Sequence, residues 1–350
     1  MPTPKIRSTL AAVAPGTELR DGLERILRAR TGAIVVLARG PEVEDLCSGG
    51  FELDVEFSPS RLRELAKMDG AVIVDPDLGR IRRANVQLMP DPAVVTAETG
   101  MRHRTAQRLS LQVGVPVISV SKSMHTIALY VDGERHVLES AEILLAKANQ
   151  AISTLERYKT RVNEMLTNLT ALEIEDLVTM RDVVQVIQRI EMVVRIWDEI
   201  DSYVIQLGTE GRLVQLQLVE LVTGIAQNRD LVLEDYTSSE SGETIARLAA
   251  LDPKRLANPT EVARALRLPV GQQGLDTPLS PRGHRMLAQV PRLPRWIASA
   301  IVKHMGSLQG LLGSTTEELQ HVEGVGPLRA RSVRESLSRL AETLIIEQRF

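Results

Sequence analysis

Residues 67–88, KMDGAVIVDPDLGRIRRANVQL, contain the turn that decides the fold of the N-terminal region. The run AVIVD (71–75) is short and rich in β-branched residues, which is typical of a strand. The segment DPDLG (75–79) consists of residue types that form tight turns, and a second apolar segment, IRRANVQL (81–88), follows it directly. We therefore predict a β-hairpin at this point of the chain.

Strand-like and helix-like segments alternate on both sides of this hairpin. Three further runs rich in β-branched residues predict strands over 33–38, 115–120 and 126–131. Apolar residues at helical spacing predict helices over 16–29 and 58–68. Such alternation is typical of an α/β domain, so we expect residues 1–140 to form a central sheet flanked by helices.

The next region has a purely helical pattern. Apolar residues recur at three- and four-residue steps from Leu144 to Leu169 and again from Val183 to Leu207, and residues 213–222 predict another helix. Stripes of this kind are typical of the core seams of a bundle. We predict an all-α helical bundle over residues 141–279.

The stretch LPVGQQGLDTPLSPRG (268–283) is rich in Gly and Pro and predicts a domain boundary. Residues 280–350 then read as a small all-α domain of short helices. This segment has 10 basic and 6 acidic side chains, a net charge of +4, whereas residues 141–279 have 14 and 21, a net charge of −7. Local positive charge suits a polyanion, although chance fluctuation over so short a segment is an alternative.

The most distinctive part of the last region is HVEGVGPLRARSVRESL (321–337). Its two glycines permit a tight turn and leave backbone amides open to a ligand, and a helix that begins directly after the turn adds free N–H groups. The segment resembles the helix-hairpin-helix motif, whose members hold a DNA phosphate on these amides without reading sequence. An ordinary corner between two helices would also use glycines. The resemblance implies DNA contacts by Gly324, Val325, Gly326, Arg329, Arg331 and Arg334, with Arg292 and Arg295 from the preceding turn.

Such motifs usually occur in pairs, and VPRLPRWIASAIV (290–302) is the expected partner. It departs from the pattern, because Arg292 and Pro294 stand where the glycines would be, and proline has no N–H for a phosphate. We therefore expect this hairpin to serve mainly in packing, with Trp296 and Ile297 in the core.

Composition excludes several classes of protein. A single cysteine, Cys47, excludes an internal disulfide framework and fits a reducing compartment. No apolar run approaches the length of about 18 residues that a membrane-spanning helix needs, and residues 1–16 lack a signal-peptide core. We expect a cytoplasmic protein without a membrane segment.

Several common catalytic motifs are also missing from the sequence: there is no GxxxxGK[ST], GxGxxG, CxxC, HExxH or GxSxG. Five of the six histidines lack metal-ligand spacing. We expect structural or surface roles for these five: His125, His136, His284, His304 and His321.

The segment GMRHRTA (100–106) places three nitrogen donors in a row just before an apolar helical run. Arg102, His103 and Arg104 could converge on one phosphate together with helix amides, and Thr105 adds a hydroxyl. The alternative is charge that faces solvent or DNA.

A second candidate element is Asp69-Gly70-Ala71, immediately before the strand of the first hairpin. A carboxylate followed by two small residues can hold a divalent ion on a nucleotide without blocking the ligand. The alternative is a simple Asp-Gly turn between a helix and a strand.

The DGA and RHR elements, about 30 residues apart in an α/β domain, together resemble the diadenylate cyclase family. The order of the three regions resembles those members that carry a C-terminal helix-hairpin-helix domain, and this resemblance covers the whole chain. It implies ATP as substrate, cyclic di-AMP and two pyrophosphates as products, and Mg²⁺ or Mn²⁺ as cofactor.

The resemblance also implies roles for single residues. Asp69 would bind the metal and help to activate the attacking 3′-hydroxyl, and Gly70 would lie close to the nucleotide. Arg102, His103 and Arg104 would hold the phosphates. Further ATP contacts are implied for Ala71, Leu88 (against adenine), Met101, Thr105 and Ser121 (at the terminal phosphate). Met101 departs from the threonine that the family often has there, so its side chain cannot supply that residue's hydrogen bond.

Two identical linkages in a cyclic product require two nucleotides related by a two-fold axis, so two domains must meet face to face. The family forms octamers, and we expect a homo-oligomer of that kind. The resemblance further implies that the C-terminal hairpins bind DNA, in particular branched DNA, without sequence preference, and that this binding lowers cyclase output.

The alternative function is that of a non-cyclase DNA-repair protein, a nuclease or a scaffold, that uses the helix-hairpin-helix domain. The segment DPDLGRIRR (75–83) has acidic residues near basic ones, as nuclease sites do, but it lacks a convincing continuation of the nuclease pattern.

Overall fold

The computed structural model describes residues 3–268 and 273–347. Residues 269–272, which are part of the predicted boundary at 268–283, lie outside the described residues. The chain divides into two compact units, one formed by residues 1–151 and 198–217 and the other by residues 152–197 and 218–350. The three predicted domains, 1–140, 141–279 and 280–350, therefore do not coincide with the units, because the long middle helices contribute residues to both.

An eight-stranded mixed sheet forms the centre of the first unit. Its order is β2-β5-β4-β1-β6-β7-β8, and β3 pairs with β5. Strands β1 and β4 are parallel, and the other pairs are antiparallel. The strands are β1 Ala33–Leu37, β2 Cys47–Ser48, β3 Phe51–Glu56, β4 Ala71–Val74, β5 Arg80–Leu88, β6 Val117–Ser121, β7 Thr126–Val131 and β8 Glu134–Leu138.

The predicted hairpin is confirmed as the antiparallel pair β4–β5. Leu78, in the turn between the two strands, adopts a positive φ of 58°, and the amide of Gly79 donates to the Asp77 carboxylate. Turn chemistry that was readable in the sequence therefore fixes this part of the sheet.

Helices cover both faces of the sheet, as predicted for the α/β region. Successive residues of a strand point to opposite faces, so Val35 packs in the core on one face and Val36 in the core on the other. Leu23 and Leu62 belong to the first core and Leu109 to the second. The helices of this part are α1 Pro4–Ala12, α2 Glu18–Arg28, α3 Pro41–Glu44, α4 Pro59–Leu65 and α5 Met101–Val113.

The rest of the described chain is helical, with α6 Ala141–Glu175 and α7 Met180–Leu207 as its longest members beside the C-terminal helix. None of the helices in the described ranges is long and apolar enough to cross a membrane. The remaining helices are α8 Arg212–Val222, α9 Ile225–Tyr236, α10 Ser241–Ala249, α11 Pro253–Leu256, α12 Pro259–Ala265, α13 His284–Leu287, α14 Arg295–Met305, α15 Leu308–Gly313, α16 Thr316–Gln320 and α17 Pro327–Glu347, with a short 3₁₀ helix at Gly208–Gly211.

The C-terminal helices pack around a core of their own between Met286 and Leu337. Ile297 is buried there, as predicted, but the prediction of a buried Trp296 was wrong, because 60% of that residue is exposed. The two neighbours on α14 point in different directions, since successive residues of a helix are about 100° apart. Only one of them can face the core.

A buried group of charges lies in the second unit. The guanidinium of Arg285 is 2.6 Å from the carboxylate of Glu173, which also accepts a hydrogen bond from the Tyr236 hydroxyl. The Asp235 carboxylate accepts three hydrogen bonds from the backbone amides of residues 283–285. These bonds hold the start of α13 against α6 and α9. Removal of Arg285 or of Glu173 would leave the other residue of this ion pair buried without an opposite charge.

Candidate active site

A cavity of about 1420 Å³ lies in the first unit, beside strands β4, β5 and β6 and the first turn of α5. The sequence predicted ten nucleotide-contacting residues, and nine of them line this cavity. The nine are Asp69, Gly70, Ala71, Leu88, Met101, Arg102, His103, Thr105 and Ser121.

The hairpin places the DGA element at the rim of the cavity. Ala71, the first residue of β4, pairs with Val86 on β5, which brings Gly70 onto the backbone of Asn85. A Cβ atom at Gly70 would lie well inside van der Waals distance of the Asn85 main chain. Glycine is therefore required here for close packing of two backbones, in addition to any contact with a ligand.

The DGA and RHR elements meet in space. Nη2 of Arg102 is 2.6 Å from Oδ1 of Asp69, although the two residues are 33 positions apart in the chain. The Asp69 side chain is 94% exposed and that of Arg102 is 43% exposed, so this ion pair adds little to stability. Both charged groups can consequently turn from each other to a ligand at low cost.

His103 differs from its arginine neighbours because it is buried. Its Nδ1 is 2.8 Å from the hydroxyl of Tyr130, and that hydroxyl donates to a carboxylate oxygen of Glu98 at 3.0 Å. The same Glu98 oxygen lies 3.4 Å from the guanidinium of Arg135. Burial lowers the pKa of the His103 imidazole, which is therefore neutral at pH 7, and raises the pKa of the Tyr130 hydroxyl.

Arg104 is the one predicted nucleotide contact that does not line the cavity, and its side chain is exposed. The three consecutive donors were predicted to converge on one anion, but all three lie in the first turn of α5. Consecutive helical residues diverge by about 100°, so Met101, Arg102 and Thr105 share a face that Arg104 does not. Its contact with a nucleotide stays a prediction.

Several polar residues that line the cavity were not predicted from the sequence. Lys122, Ser123 and His125 lie in the connection between β6 and β7, and Arg30 contributes a further cation. For His125 the sequence predicted a structural or surface role and gave no indication that it lines this cavity. The sequence feature that could have indicated Lys122, Ser123 and His125 is the polar run SKSMH (121–125) between two predicted strands. A polar turn at the end of buried strands is a common place for ligand contacts.

Asp69 is the one carboxylate among the residues that line the cavity, and no cluster of three or more potential metal ligands occurs in the described parts of the chain. A site held by protein groups alone is therefore not present there. The donor set does fit a divalent ion that takes most of its ligands from nucleotide phosphates and water, which is how Mg²⁺ is commonly bound.

The nuclease alternative rested on residues 75–83, and their geometry speaks against it. The Asp75 carboxylate is 2% exposed and accepts hydrogen bonds of 2.6–3.0 Å from Arg82. Arg82 also pairs with Asp54. The Asp75 carboxylate is therefore buried and paired with a cation, and it is not an open metal ligand.

The glycine turn of the C-terminal region connects α16 to α17. Gly324 has a φ of 82°, which favours glycine, and Val325 is buried in the local core. In this part of the described chain the amides of Gly326, Leu328 and Arg329 make no hydrogen bond within the protein. Three free N–H groups therefore stand together at the N-terminus of a long helix.

The arginines that were predicted to contact DNA are not equally available. Arg295 pairs with Glu234, and Arg334 donates to the carbonyl of Leu312. Arg329 donates to the carbonyl of Gly324 at 2.7 Å, and Arg331 lies 3.9 Å from Glu335. The remaining one, Arg292, has a positive φ of 58° in the preceding turn, and its side chain is exposed.

Comparison with known proteins places the chain in a family. A family model described as the nucleotide-binding region of the DisA bacterial checkpoint controller matches residues 20–135, and one described as its linker region matches residues 138–275. The DNA integrity scanning protein DisA of Parafrankia sp. (strain EAN1pec) is 57% identical over 347 residues, with 98% of this chain and 97% of that protein covered. That of Streptomyces coelicolor is 55% identical over 350 residues, with 98% and 94% covered.

Among solved structures, a double cysteine mutant of DacA from Staphylococcus aureus is 23% identical with a TM-score of 0.32, over 40% of this chain and 92% of that one. That likeness is too low to support a conclusion.

Residues 20–135, which contain most of the residues that line the cavity, thus form the nucleotide-binding region of a diadenylate cyclase, a nucleotidyltransferase that takes ATP. The chain belongs to the DNA integrity scanning protein DisA family. The non-cyclase alternative is thereby excluded. Enzymes of this family use divalent metal ions.

Proposed function

We propose that two copies of the cavity face each other across a two-fold axis and condense two ATP molecules into cyclic di-AMP. The observation that carries this proposal is that one chain supplies one Asp69–Arg102 set, whereas the product has two identical linkages. In each half-reaction the 3′-oxygen of one nucleotide bonds to the α-phosphorus of the other. The bond from that phosphorus to the β-phosphate oxygen breaks, pyrophosphate leaves, and the hydroxyl proton is released.

Within one cavity the side chains divide into two groups. Arg102, with Lys122 and Ser121 on the other wall, faces the triphosphate, and Leu88 packs against adenine. Positioning and charge neutralisation then supply most of the rate, as in other phosphate transfers. Asp69 would hold Mg²⁺ or Mn²⁺ on the phosphates, and the ion would supply charge neutralisation and a lower pKa for the 3′-hydroxyl.

Homo-oligomerisation, with an octamer as the assembly, is part of this proposal, because a single cavity is incomplete. Exposed apolar side chains support it. Leu213, Leu216 and Val219 of α8 are spaced three residues apart, so they share one face of that helix, and all three are more than half exposed. An apolar stripe of this kind is suited to contact with another subunit.

We further propose that the C-terminal helix-hairpin-helix region binds DNA through its backbone, in particular branched DNA, and that binding lowers cyclase output. The three free amides after Gly324 support a phosphate contact at a helix N-terminus. The net charge of +4 on residues 280–350 supports attraction to a polyanion. Contacts of this type carry no sequence information, so affinity should fall steeply with salt.

One assay tests the catalytic and regulatory parts together. The protein is incubated with ATP and Mg²⁺ or Mn²⁺, and the products are separated, with and without a four-way DNA junction. We expect cyclic di-AMP, pyrophosphate and intact DNA, and less cyclic product when the junction is present. Unchanged output at saturating junction would overturn the regulatory part, and a product that stays linear would overturn the facing arrangement.

The DNA contact can be tested with two matched glycine substitutions. A Cβ at Gly326 or at Gly313 would meet nothing within 4 Å, so Gly326→Ala and Gly313→Ala should both leave the fold intact. The Cβ at Gly326 would nevertheless project where a phosphate approaches the free amides. We expect Gly326→Ala to weaken junction binding about tenfold, the cost of one charge-assisted hydrogen bond, and Gly313→Ala to leave it unchanged. Equal affinities would contradict the assignment.

Binding can be followed without a label, because the chain has two tryptophans and one of them lies beside the turn. The exposed Trp296 indole lies so close to Gly324 that a Cβ there would be 2.5 Å from its ring. In a Trp197→Phe variant, Trp296 is the single indole emitter. Its fluorescence should change on addition of DNA and recover with added salt.

A further inference from the structure

We propose that Tyr130 and Glu98 are positioning residues that hold His103 in one tautomer, with the proton on Nδ1, so that Nε2 presents a lone pair to the nucleotide cavity. The proposal rests on this cavity being the ATP site. In this tautomer the Nε2 atom of His103 accepts a hydrogen bond or binds a cation. The sequence had instead predicted that His103, like its arginine neighbours, donates a hydrogen bond to a phosphate.

The hydrogen bonds that connect Glu98, Tyr130 and His103 in series fix the tautomer of the imidazole. The Glu98 carboxylate, which lies near Arg135, can only accept, so the single proton of the Tyr130 hydroxyl points to it across 3.0 Å. The Tyr130 oxygen is then free to accept, and its partner at 2.8 Å is Nδ1 of His103. Nδ1 must therefore donate, and a neutral imidazole that carries its proton on Nδ1 has none on Nε2.

The neutral state is supported by the surroundings of the ring. His103 is 5% exposed and Tyr130 is 0% exposed, so both lie in a region where an uncompensated charge is unfavourable. The charges of Glu98 and Arg135 act in opposite directions on the pKa of the imidazole. Burial thus decides the protonation state.

The second nitrogen points to the function. Nε2 of His103 is buried and has no hydrogen-bond partner among the described residues, yet His103 lines the cavity. A buried acceptor without a partner is rare in folded proteins and commonly marks a place where a ligand completes the bonding. A phosphate oxygen, which is itself an acceptor, cannot do this. A ribose hydroxyl or a divalent cation can.

Three substitutions separate positioning from packing. Tyr130→Phe keeps the ring and removes the acceptor of the Nδ1 proton, and Glu98→Leu removes the acceptor of the tyrosine proton. Glu98→Gln retains a carbonyl oxygen for that proton. We expect kcat, measured well below the unfolding midpoint of each variant, to fall about 10- to 100-fold in the first two and to be largely kept in Glu98→Gln, with the same oligomeric state in all three. If Tyr130 and Glu98 had a purely structural role, the loss of activity in each variant would instead parallel its loss of stability.

A readout that needs no turnover observes the tautomer directly. The full-length protein is labelled with ¹⁵N-histidine, of which the chain has six, and the signals of His103 are identified by their loss in His103→Gln. We expect a protonated Nδ1 and an unprotonated Nε2 in the wild type, and a change of tautomer in Tyr130→Phe. A protonated Nε2 in the wild type would overturn the proposal, whether or not the enzyme makes cyclic di-AMP.

The two ligands that could complete Nε2 are distinguished with 3′-deoxyATP, which lacks the attacking hydroxyl. If Nε2 contacts the metal ion, Tyr130→Phe weakens binding of 3′-deoxyATP in the presence of Mg²⁺. If Nε2 takes the 3′-hydroxyl, that binding is unchanged while turnover of ATP falls. Unchanged binding together with unchanged turnover would overturn the positioning role.

Discussion

At the scale of the residue, the site depends on an ion pair that contributes little to stability. Asp69 and Arg102 are largely exposed and lie 2.6 Å apart at the rim of the cavity. When a metal ion binds Asp69 or a phosphate binds Arg102, that ligand must replace the other residue of the ion pair. The buried His103 beside them is held by Tyr130, so the site combines two exposed charged groups with one fixed imidazole.

Asp69→Asn should remove the carboxylate without disturbing the fold, since its side chain is 94% exposed. We expect cyclase activity to fall by about two orders of magnitude or more, because a charge aimed at the reacting phosphates is lost. Cyclic di-AMP production at saturating ATP and Mg²⁺ is the measurement. Asp77→Asn in the neighbouring turn is the matched control and should keep wild-type activity. If Asp77→Asn were as inactive as Asp69→Asn, the assignment of Asp69 would be contradicted.

Gly70→Ala should be destabilising as well as inactivating. Its Cβ would meet the main chain of Asn85, which cannot give way as a flexible side chain could. We expect a loss of about 1–3 kcal/mol in the free energy of unfolding, the usual cost of overpacking. Gly242→Ala, whose Cβ would meet nothing within 4 Å, should not destabilise the protein. Equal unfolding midpoints for the two variants would count against the close backbone packing.

At the scale of the element, the parts of the fold that were predictable are those with strong local signals. The β4–β5 hairpin has a turn sequence of its own, and α4 begins with a Ser58 side chain that accepts from the Arg61 amide. The strand β3 (Phe51–Glu56) was missed, because it is polar and its register with β5 is interrupted between Glu52 and Val55. Its pairing depends on long-range contacts that no local pattern carries.

The hairpin turn also carries a pH dependence. Hydrogen bonds from Arg82 hold the pKa of the Asp75 carboxyl below its usual value near 3.8. A carboxyl with a lowered folded-state pKa contributes stability above its unfolded value and loses it as the pH falls through the folded value. The thermal unfolding midpoint of the wild type should therefore fall below about pH 4. The midpoint of Asp75→Asn should fall less over the same pH range. Parallel curves for the two proteins would contradict this.

The site residues follow the same rule as the elements. The sequence brought Asp69 and Arg102 together because a known pair of motifs carries them, and both line one cavity. It did not show that His125 lines the cavity and that Arg104 does not, because which face of a helix or turn meets the cavity depends on the packing of whole elements. It also gave no indication of the chain from Glu98 through Tyr130 to His103, whose members are far apart in sequence and have ordinary local patterns.

At the scale of the whole molecule, the order of regions was readable from composition and motifs, and the family comparison confirms the N-terminal α/β region and the helical region after it. The boundaries near residues 140 and 279 stay predictions. The compact units divide within helices α6 and α7, whereas composition and motifs mark boundaries only in loops.

In the proposed facing arrangement neither cavity completes the reaction alone, and co-expression of wild-type and Asp69→Asn subunits in equal amounts tests this arrangement. If two cavities act as one site and subunits assort at random, cyclic di-AMP production per total protein should be about a quarter of the wild-type value. A linear dinucleotide should accumulate in mixed pairs, since one of the two linkages can still form. Production of about half the wild-type value, without the linear species, would show that each cavity works independently and would contradict the account.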